Sequence, residues 1–325
     1  MPKPSGRFEW RKGATRQRGI ALLLVIWILS ALTVTALGLS LITRSERFGA
    51  HRFREATVNR FLAEAGIEKA IIEIAYSSMH RLEAAAWRVD GTPYSFDLGA
   101  GRCQVRVWDE TGKFNINKMN DINSVVLKNL LMNVALVDQD TADIIADSIL
   151  DWKESDNLRR THGADDDYYL SLPDPYKPRH APFETPEEIL MVRGMTPEIL
   201  YGNGQKKGIM PFITIYSPTD KINLITAPRE VLLAIPGIGI EFADKILEMR
   251  GRDVADNAAS EGIIKLLSQA VAEFASASNY GNTVEIESAG YITSEETAYR
   301  IATVVRVTAA RRYKTLYYKG PMIIK

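Results

Sequence analysis

A long uncharged stretch dominates the pattern of apolar and polar positions along this chain. Ile20–Ile42 contains no charged residue, and the segment before it is rich in Lys and Arg. As a helix, about 23 residues extend ~34 Å, which is enough to cross a bilayer. The basic N-terminal side predicts a cytoplasmic N-terminus and an exported remainder after Arg44. The sequence therefore predicts one membrane span that carries a large domain.

Helical spacing continues beyond the span. Thr43–Met79 contains no proline, and its apolar residues recur at the helical period, among them Phe53, Val58, Phe61, Leu62, Ile67 and Ile71. This pattern predicts a single helix, with its first half in lipid and its second half amphipathic. A membrane anchor followed by a coiled coil is the alternative, and the lack of a clean heptad repeat makes it the weaker one.

The remainder of the chain mixes strand-like and helix-like segments. Tyr94–Leu98 and Cys103–Trp108 alternate in polarity around glycines and predict a β-hairpin. Further strands are predicted at Phe212–Tyr216, Thr283–Ser288, Arg300–Thr308 and Lys314–Lys319. Helices are predicted at Val125–Val137, Gln139–Lys153, Pro186–Arg193, Pro197–Tyr201, Pro228–Leu233, Glu241–Arg250 and Ile263–Phe274.

These segments predict an α+β protein in which a helical block interrupts a strand-rich domain. The expected divisions are a leader (1–19), a membrane helix (20–42), an exported helix (43–79), the first part of a sheet (80–120), an inserted helical domain (121–280) and the final strands (281–325). Gly112–Asn117 and Asp220–Leu224 have similar short sequences, but the similarity is too weak to indicate an internal repeat.

Composition narrows the classes of function. Lys+Arg and Asp+Glu both number 40, so the formal net charge is +0, which argues against a nucleic-acid coat or an anionic-lipid binder. Cys103 is the only cysteine, so no intramolecular disulfide can form even in an oxidising compartment. A metal ion is the obvious alternative means of stabilising an exported domain.

An acidic cluster is the candidate metal site. It consists of Asp151, Glu154 and Asp156, followed after a glycine-containing loop by Asp165, Asp166 and Asp167. Calcium takes six to eight oxygen ligands from flexible carboxylate and carbonyl donors. The spacing is not that of an EF-hand loop. A solvated acidic loop is the alternative, yet the cluster favours a cation that orders residues 151–169.

The N-terminal boundary of the apolar stretch carries a candidate processing site. A cleaved secretory signal usually has an apolar core of about 7–15 residues and a small-x-small site after it, and neither is found here. Basic residues followed by Gly19 and an apolar run resemble the processing site of type IV prepilins and type II secretion pseudopilins. The resemblance implies that prepilin peptidase cuts after Gly19 and N-methylates Ile20. An ordinary signal anchor with an incidental glycine is the alternative.

The order of motifs extends this resemblance to the whole chain. The motifs follow in this order: prepilin site, long helix, hairpin, Gly112–Asn117, helical insertion, a Pro-Gly-Ile-Gly hairpin and final strands. Asp151–Asp156 and Gly163–Tyr169 resemble the acidic and aromatic segments of the large minor pseudopilins, the general secretion pathway protein K family. The resemblance implies a pilin-like fold, with a long N-terminal helix on a small antiparallel sheet and an inserted helical domain.

The same resemblance implies a function and its partners. It implies a minor pseudopilin at the tip of the type II secretion pseudopilus, single-pass in the inner membrane, which initiates assembly or limits fibre length while folded exoproteins cross the outer membrane. The implied partners are I- and J-type minor pseudopilins, the major pseudopilin, prepilin peptidase and the inner-membrane secretion platform. Calcium is implied at Asp151, Glu154, Asp156, Asp165 and Asp166. Lys153, Glu154, Asp165 and His180 depart from the usual family residues.

Leu24 is a further expected functional position. Counted from Ile20 it is the fifth mature residue, where most pseudopilins carry Glu. A carboxylate in hydrocarbon is costly unless paired, and its usual partner is the N-terminal ammonium of the next subunit. The apolar residue therefore favours a terminal position in the fibre.

Two other functions compete with this interpretation. Ala234–Ile246 has the pattern of a helix-hairpin-helix, whose backbone amides often hold DNA phosphates, so a membrane-anchored DNA-binding protein is the main alternative. Acids interleave with the basic residues around the hairpin, which favours a packing role and no nucleic acid. An anchored hydrolase is disfavoured because the sequence lacks catalytic motif spacing.

Overall fold

The computed structural model describes residues 17–79, 87–156, 158–252, 262–263, 269–277, 281–308 and 312–322. Its first element is helix α1, Gln17–Met79, which confirms the predicted long helix. Most of the predicted leader lies outside the described residues. The chain divides into two compact units, Met1–Thr57 and Val58–Lys325.

The described part of the first unit is a helix with an apolar surface. Trp27 is 80 % exposed, and the other large side chains of the uncharged stretch are also exposed. Ser30 Oγ donates to the Ile26 carbonyl at 2.8 Å, and Thr33 Oγ1 donates to the Leu29 carbonyl at 2.7 Å. These bonds satisfy the hydroxyl donors within the helix, as a helix in hydrocarbon requires. Among the described helices, this one is long and apolar enough to cross a membrane.

The second unit contains a five-stranded sheet. Its strands, in spatial order, are β1 (Tyr94–Leu98), β2 (Gly101–Asp109), β7 (Thr283–Tyr291), β8 (Tyr299–Val307) and β9 (Tyr313–Lys319). Every neighbouring pair is antiparallel. Tyr94 lies opposite Val105, which confirms the predicted hairpin. Buried residues alternate with more exposed ones along β2, as expected for a strand with one face in the core.

The end of α1 that belongs to this unit packs on the sheet. Ala63, Ile67 and Ala70 share a buried cluster with strand residues such as Val105 and Ile286. The backbones approach closely, since a Cβ on Gly290 would lie 2.4 Å from the Ala63 amide nitrogen. Only glycine fits at such a contact. The arrangement confirms the predicted class, a long helix on a small antiparallel sheet.

The helical insertion lies between β2 and β7. Its helices are α2 (Ser124–Asn133), α3 (Gln139–Lys153), α4 (Asp166–Leu170), α5 (Pro197–Tyr201), α6 (Arg229–Ala234), α7 (Ile240–Arg252) and α8 (Gln269–Phe274). Two short parallel pairs join β3 (Phe114–Asn115) to β4 (Ile213–Thr214) and β5 (Ile222–Asn223) to β6 (Ala275–Ser276). Its core is separate from that of the sheet and includes Trp152, Tyr169, Leu127 and Ile149.

Several predicted boundaries are wrong. The first predicted helix of the insertion ends at Asn133 and not at Val137, because Leu136 adopts a left-handed backbone with φ of 55°. The predicted strand Phe212–Tyr216 shrinks to Ile213–Thr214, since a 3-10 helix occupies Met210–Phe212. Pro186–Met191 is a 3-10 helix. Part of the predicted helix Ile263–Phe274 lies outside the described residues.

A buried ionic network connects the sheet to the insertion. Lys113, 6 % exposed, donates to Glu110 Oε1 at 2.7 Å and also to Glu285 on β7. Thr214 on β4 donates to Glu110. Burial raises the pKa of Glu110 and Lys113 opposes that rise. Burial also opposes the charge on Lys113, but Glu110 and Glu285 outweigh it and raise the pKa of that amine.

Candidate functional site

Of the acids predicted to form one cation cage, Asp151 and Glu154 form a first group around Arg160, and Asp165 and Asp166 form a second. Asp151, in the last turn of α3, is 2 % exposed. Arg160 Nη1 lies 2.9 Å from Asp151 Oδ1 and 2.6 Å from Glu154 Oε2, and Nη2 lies 2.7 Å from Glu154 Oε1. Asp121 adds a contact to the guanidinium at 3.1 Å. Burial raises the pKa of Asp151, and the bonds from Arg160 partly offset that rise.

The second group surrounds His180. Asp165 caps α4 by accepting from the Asp166 amide at 2.8 Å. His180 Nε2 lies 3.1 Å from Asp166 Oδ1 and 3.7 Å from Asp165 Oδ1, while Lys177 Nζ lies 2.8 Å from Asp166 Oδ2. Lys177 and then His180 hold the pKa of Asp166 below its usual value. Burial opposes the charge on His180, but the bond with Asp166 and the acids around it raise the pKa of the imidazole.

The remaining acids of the cluster lie apart from both groups. Asp156 is exposed and accepts from the Leu158 amide at 3.1 Å, and Asp167 is also exposed. Lys153 donates to the carbonyls of Ile116 and Met119, each at 2.8 Å. Burial lowers the pKa of Lys153 to about 8. The Lys153 amine therefore hydrogen-bonds backbone carbonyls at the start of the insertion and does not pair with the acidic cluster.

Aromatic packing holds the two acidic segments together. Trp152 follows Asp151, and its ring lies edge-on to Tyr169 with centroids 5.3 Å apart. It also stacks on Phe183 with centroids 6.0 Å apart and contacts the Tyr176 ring at 6.3 Å. Trp152 and Tyr169 are essentially buried, so the end of α3 and helix α4 share one core. Hydrophobic packing thus helps to position the acids of both segments.

Among the described residues, the second group brings candidate cation ligands together, although the Asp166 oxygens also contact His180 and Lys177. Asp165, Asp166 and His180 each present a ligand atom, and these atoms lie within 4.8 Å of one another. The backbone carbonyl of Glu154 lies 2.9 Å from His180 Nδ1, whereas Nε2 of the same ring faces Asp166. The oxygens fit calcium, which prefers hard oxygen ligands, whereas the imidazole nitrogen does not. Asp151 and Glu154 have their oxygens engaged by Arg160.

Sequence reasoning missed the basic partners of these acids. Arg160 lies nine positions from Asp151 and His180 lies fourteen from Asp166, beyond any helical spacing rule. Arg159 and Arg160 form a basic pair between two acidic runs, and that pair was the available signal.

The helix-hairpin-helix element is packed into the insertion. α6 and α7 flank a turn in which Gly237 has φ of 86°. Arg229 Nε bonds Asp244 Oδ1 at 3.0 Å, and Arg250, 8 % exposed, donates to the Ala227 carbonyl. A DNA-binding hairpin needs free basic side chains around it, whereas Arg229 and Arg250 are engaged within the protein. The geometry supports the packing role.

Relatives of this chain share a single description. A protein-family profile described as type II secretion system (T2SS), protein K matches residues 112–217. Type II secretion system protein K of Pseudomonas aeruginosa is 25% identical over 260 residues, which cover 73% of this chain and 73% of the relative. The protein of that name from Aeromonas hydrophila is 27% identical over 267 residues, covering 72% and 76%.

A solved structure shares the fold. It is the crystal structure of the GspK-GspI-GspJ complex from the type 2 secretion system of enterotoxigenic Escherichia coli. The matching chain is 18% identical, with a TM-score of 0.53 over 86% of this chain and 99% of that chain. None of these relatives is described as a DNA-binding protein.

Proposed function

We propose that this chain, which belongs to the type II secretion system protein K family, is the minor pseudopilin at the tip of the pseudopilus. It starts assembly or limits fibre length during export of folded proteins across the outer membrane. Ile20–Ile42 anchors it in the inner membrane, and the chain from Thr43 onward occupies the periplasm. Prepilin peptidase removes Met1–Gly19 and N-methylates Ile20 before assembly.

The observation that carries the tip position is Leu24, an apolar side chain that is 57 % exposed on α1. A subunit with Leu24 has no carboxylate to neutralise the N-terminal ammonium of a neighbour. Its own ammonium can still be neutralised by a neighbour's Glu, because that pairing needs only the amine. Such a subunit fits one end of a fibre and leaves an unpaired charge at any interior position.

The insertion supports the same position. It separates β2, which ends at Asp109, from β7, which begins at Thr283, although the two strands are neighbours in the sheet. A domain of this size with its own core adds bulk beside the pseudopilin sheet. A subunit stacked above this one would leave little room for the insertion, whereas at the tip no subunit lies above it.

The partners we propose would pack on α1. Within the second unit, Phe61 and Ile72 are 62 % and 65 % exposed, whereas Ala63 and Ala70 are buried against the sheet. An exposed apolar strip on a helix suits a second amphipathic helix. We assign this strip to the smaller I- and J-type minor pseudopilins, with the major pseudopilin and the inner-membrane secretion platform as further partners.

Gold labelling of sheared fibres tests the tip position. Ile240→Cys places a thiol at a side chain that is 64 % exposed on the insertion, and Ala243→Cys places one at a fully buried position of the same helix. Native Cys103 is buried and should not react. We expect maleimide-gold only at fibre ends with Ile240→Cys and none with Ala243→Cys. Regular labelling along the shaft would refute the tip assignment.

We also propose that calcium binds at Asp165 and Asp166 and orders the segment 151–169. At about 100 times its Kd, calcium should raise the free energy of unfolding by about 2.7 kcal/mol. Asp166→Asn should remove that gain. His180→Asn should shift the response to lower calcium, because an amide oxygen replaces a nitrogen that calcium disfavours.

Thermal unfolding of the full chain in detergent, with calcium or with chelator, measures this effect. His162→Asn is the matched control, since His162 lies by Asp147 and outside the second group. The proposal fails if the unfolding temperature is the same in calcium as in chelator, both for native protein and for His180→Asn.

A further inference from the structure

An excess of basic side chains follows the uncharged stretch of α1. Residues 44–55 contain four arginines and two glutamates, namely Arg44, Arg47, Arg52, Arg54, Glu46 and Glu55. The formal net charge of +0 averages over the whole chain and conceals this local excess. The positive-inside bias disfavours arginine on the exported side of a membrane span. An anionic partner outside the cytoplasm would account for its presence there.

Three of these arginines share one face of the helix. A helix has 3.6 residues per turn, so positions i, i+3, i+7 and i+10 lie along one side. In α1 these positions are Arg44, Arg47, His51 and Arg54, which we call the basic stripe. All four side chains are exposed. Arg52 is also exposed but lies about 140° around the helix from Arg47.

The arginines of the basic stripe are available for a ligand. Among the described residues, no carboxylate lies within ion-pair distance of any of the three. His51 Nδ1 lies 3.9 Å from Glu55 Oε2, at the limit of an ion pair. In the second unit, by contrast, Arg60 Nε is paired with Glu64 Oε1 at 2.8 Å. The stripe therefore keeps its positive charge largely uncompensated.

The basic stripe begins at the expected surface of the membrane. Arg44 and Arg47 follow Ile42 by two and five residues, which places them about 3 Å and about 8 Å beyond the uncharged stretch. The interfacial layer of a bilayer is about 5–8 Å deep on each side. Helical side chains lean toward the helix N-terminus, which is the membrane side of the stripe. Both guanidinium groups therefore reach the depth of the lipid phosphates, whereas Arg54 lies about 18 Å out and acts at longer range.

We propose that Arg44 and Arg47 form a binding site for the headgroups of anionic phospholipids in the leaflet that faces the periplasm. Guanidinium groups bind phosphate oxygens in pairs, and two of them one helical turn apart can hold the same headgroup. The headgroup is favoured over an acidic helix of another subunit because both arginines lie at the depth of the phosphates. This inference rests on the anchoring of Ile20–Ile42 proposed above, and it concerns the subunit before it enters the fibre.

Electron paramagnetic resonance of spin-labelled lipids tests the proposal. Labelled phosphatidylglycerol or phosphatidylcholine is added to phosphatidylcholine vesicles that contain the full chain, and the fraction of immobilised label gives its association with α1. Native protein should prefer phosphatidylglycerol at least about threefold, and high salt should weaken this preference. Arg44→Gln combined with Arg47→Gln should abolish it. Arg52→Gln, on another face of the same helix, should match native protein.

Arg44→Lys combined with Arg47→Lys keeps both positive charges and should keep most of the preference. Equal immobilisation of both labels by native protein would overturn the proposal. A glutamine variant that keeps the preference but no longer co-purifies with smaller minor pseudopilins would assign the stripe to a partner helix, and would overturn it as well. Immobilisation of neither label would overturn the anchoring itself, so the two failures are distinguishable.

Discussion

Replacing Gly19 with valine should stop maturation of the chain. The bond after Gly19 joins a basic leader to the apolar helix, and glycine leaves its backbone open to close approach by a peptidase. A β-branched side chain would obstruct that approach. We expect nearly all of the Gly19→Val protein in membranes to retain Met1–Gly19 and to be missing from sheared fibres, as measured by intact-mass spectrometry.

Gly38→Val is the matched control for this prediction. Gly38 lies in the same apolar stretch, and a Cβ there meets no atom within 4 Å. This variant should be processed like native protein and begin with N-methyl-Ile20. Mature chains beginning at Ile20 in the Gly19→Val sample, in the presence of the peptidase, would contradict the proposed cleavage site.

Replacing Lys113 with methionine should lower the free energy of unfolding by about 3–5 kcal/mol. Methionine keeps the length of the side chain but leaves Glu110, which is 1 % exposed, without its cation. Protonation of Glu110 removes the unpaired charge, so the loss should shrink as the pH falls. Urea unfolding of the full chain in detergent, followed by tryptophan fluorescence at two pH values, measures both effects.

Two variants make this test specific. Glu110→Gln combined with Lys113→Met removes both charges and should recover much of the lost stability. Lys128→Met breaks an ion pair with Asp143 at 2.7 Å, but the Lys128 side chain is 27 % exposed, so the loss should stay within about 1 kcal/mol. Equal losses for Lys113→Met and Lys128→Met would show that the buried network contributes no more than a surface pair.

Local pattern predicted the elements of this protein better than their ends. α3 and α5 have the bounds that the sequence pattern predicted, and in the structure Asp138 and Thr196 cap them through their own side chains. α2 ends early because Leu136 takes a left-handed backbone, a conformation that leucine itself does not favour. A helical pattern alone does not predict such a residue.

The candidate site shows the same division. The acids were visible because carboxylates cluster in the sequence, and their spacing suggested one cage around calcium. The structure places them in two groups, because Arg160 lies between Asp151 and Glu154 whereas His180 and Lys177 contact Asp166. These contacts depend on how the chain after α3 returns to the core, which no spacing rule describes.

The sequence by itself predicted a helix long and apolar enough to cross a membrane and a candidate processing site at Gly19, and its single cysteine excludes an intramolecular disulfide. The helix and the candidate processing site depend on runs of neighbouring residues, and the disulfide argument depends on the number of cysteines, so none of them requires the tertiary structure. Only the tertiary structure decided which cation neutralises which acid, and that Lys113 connects Glu110 to Glu285. Ion pairs form between side chains distant in sequence, and burial, which the fold alone sets, fixes their strength.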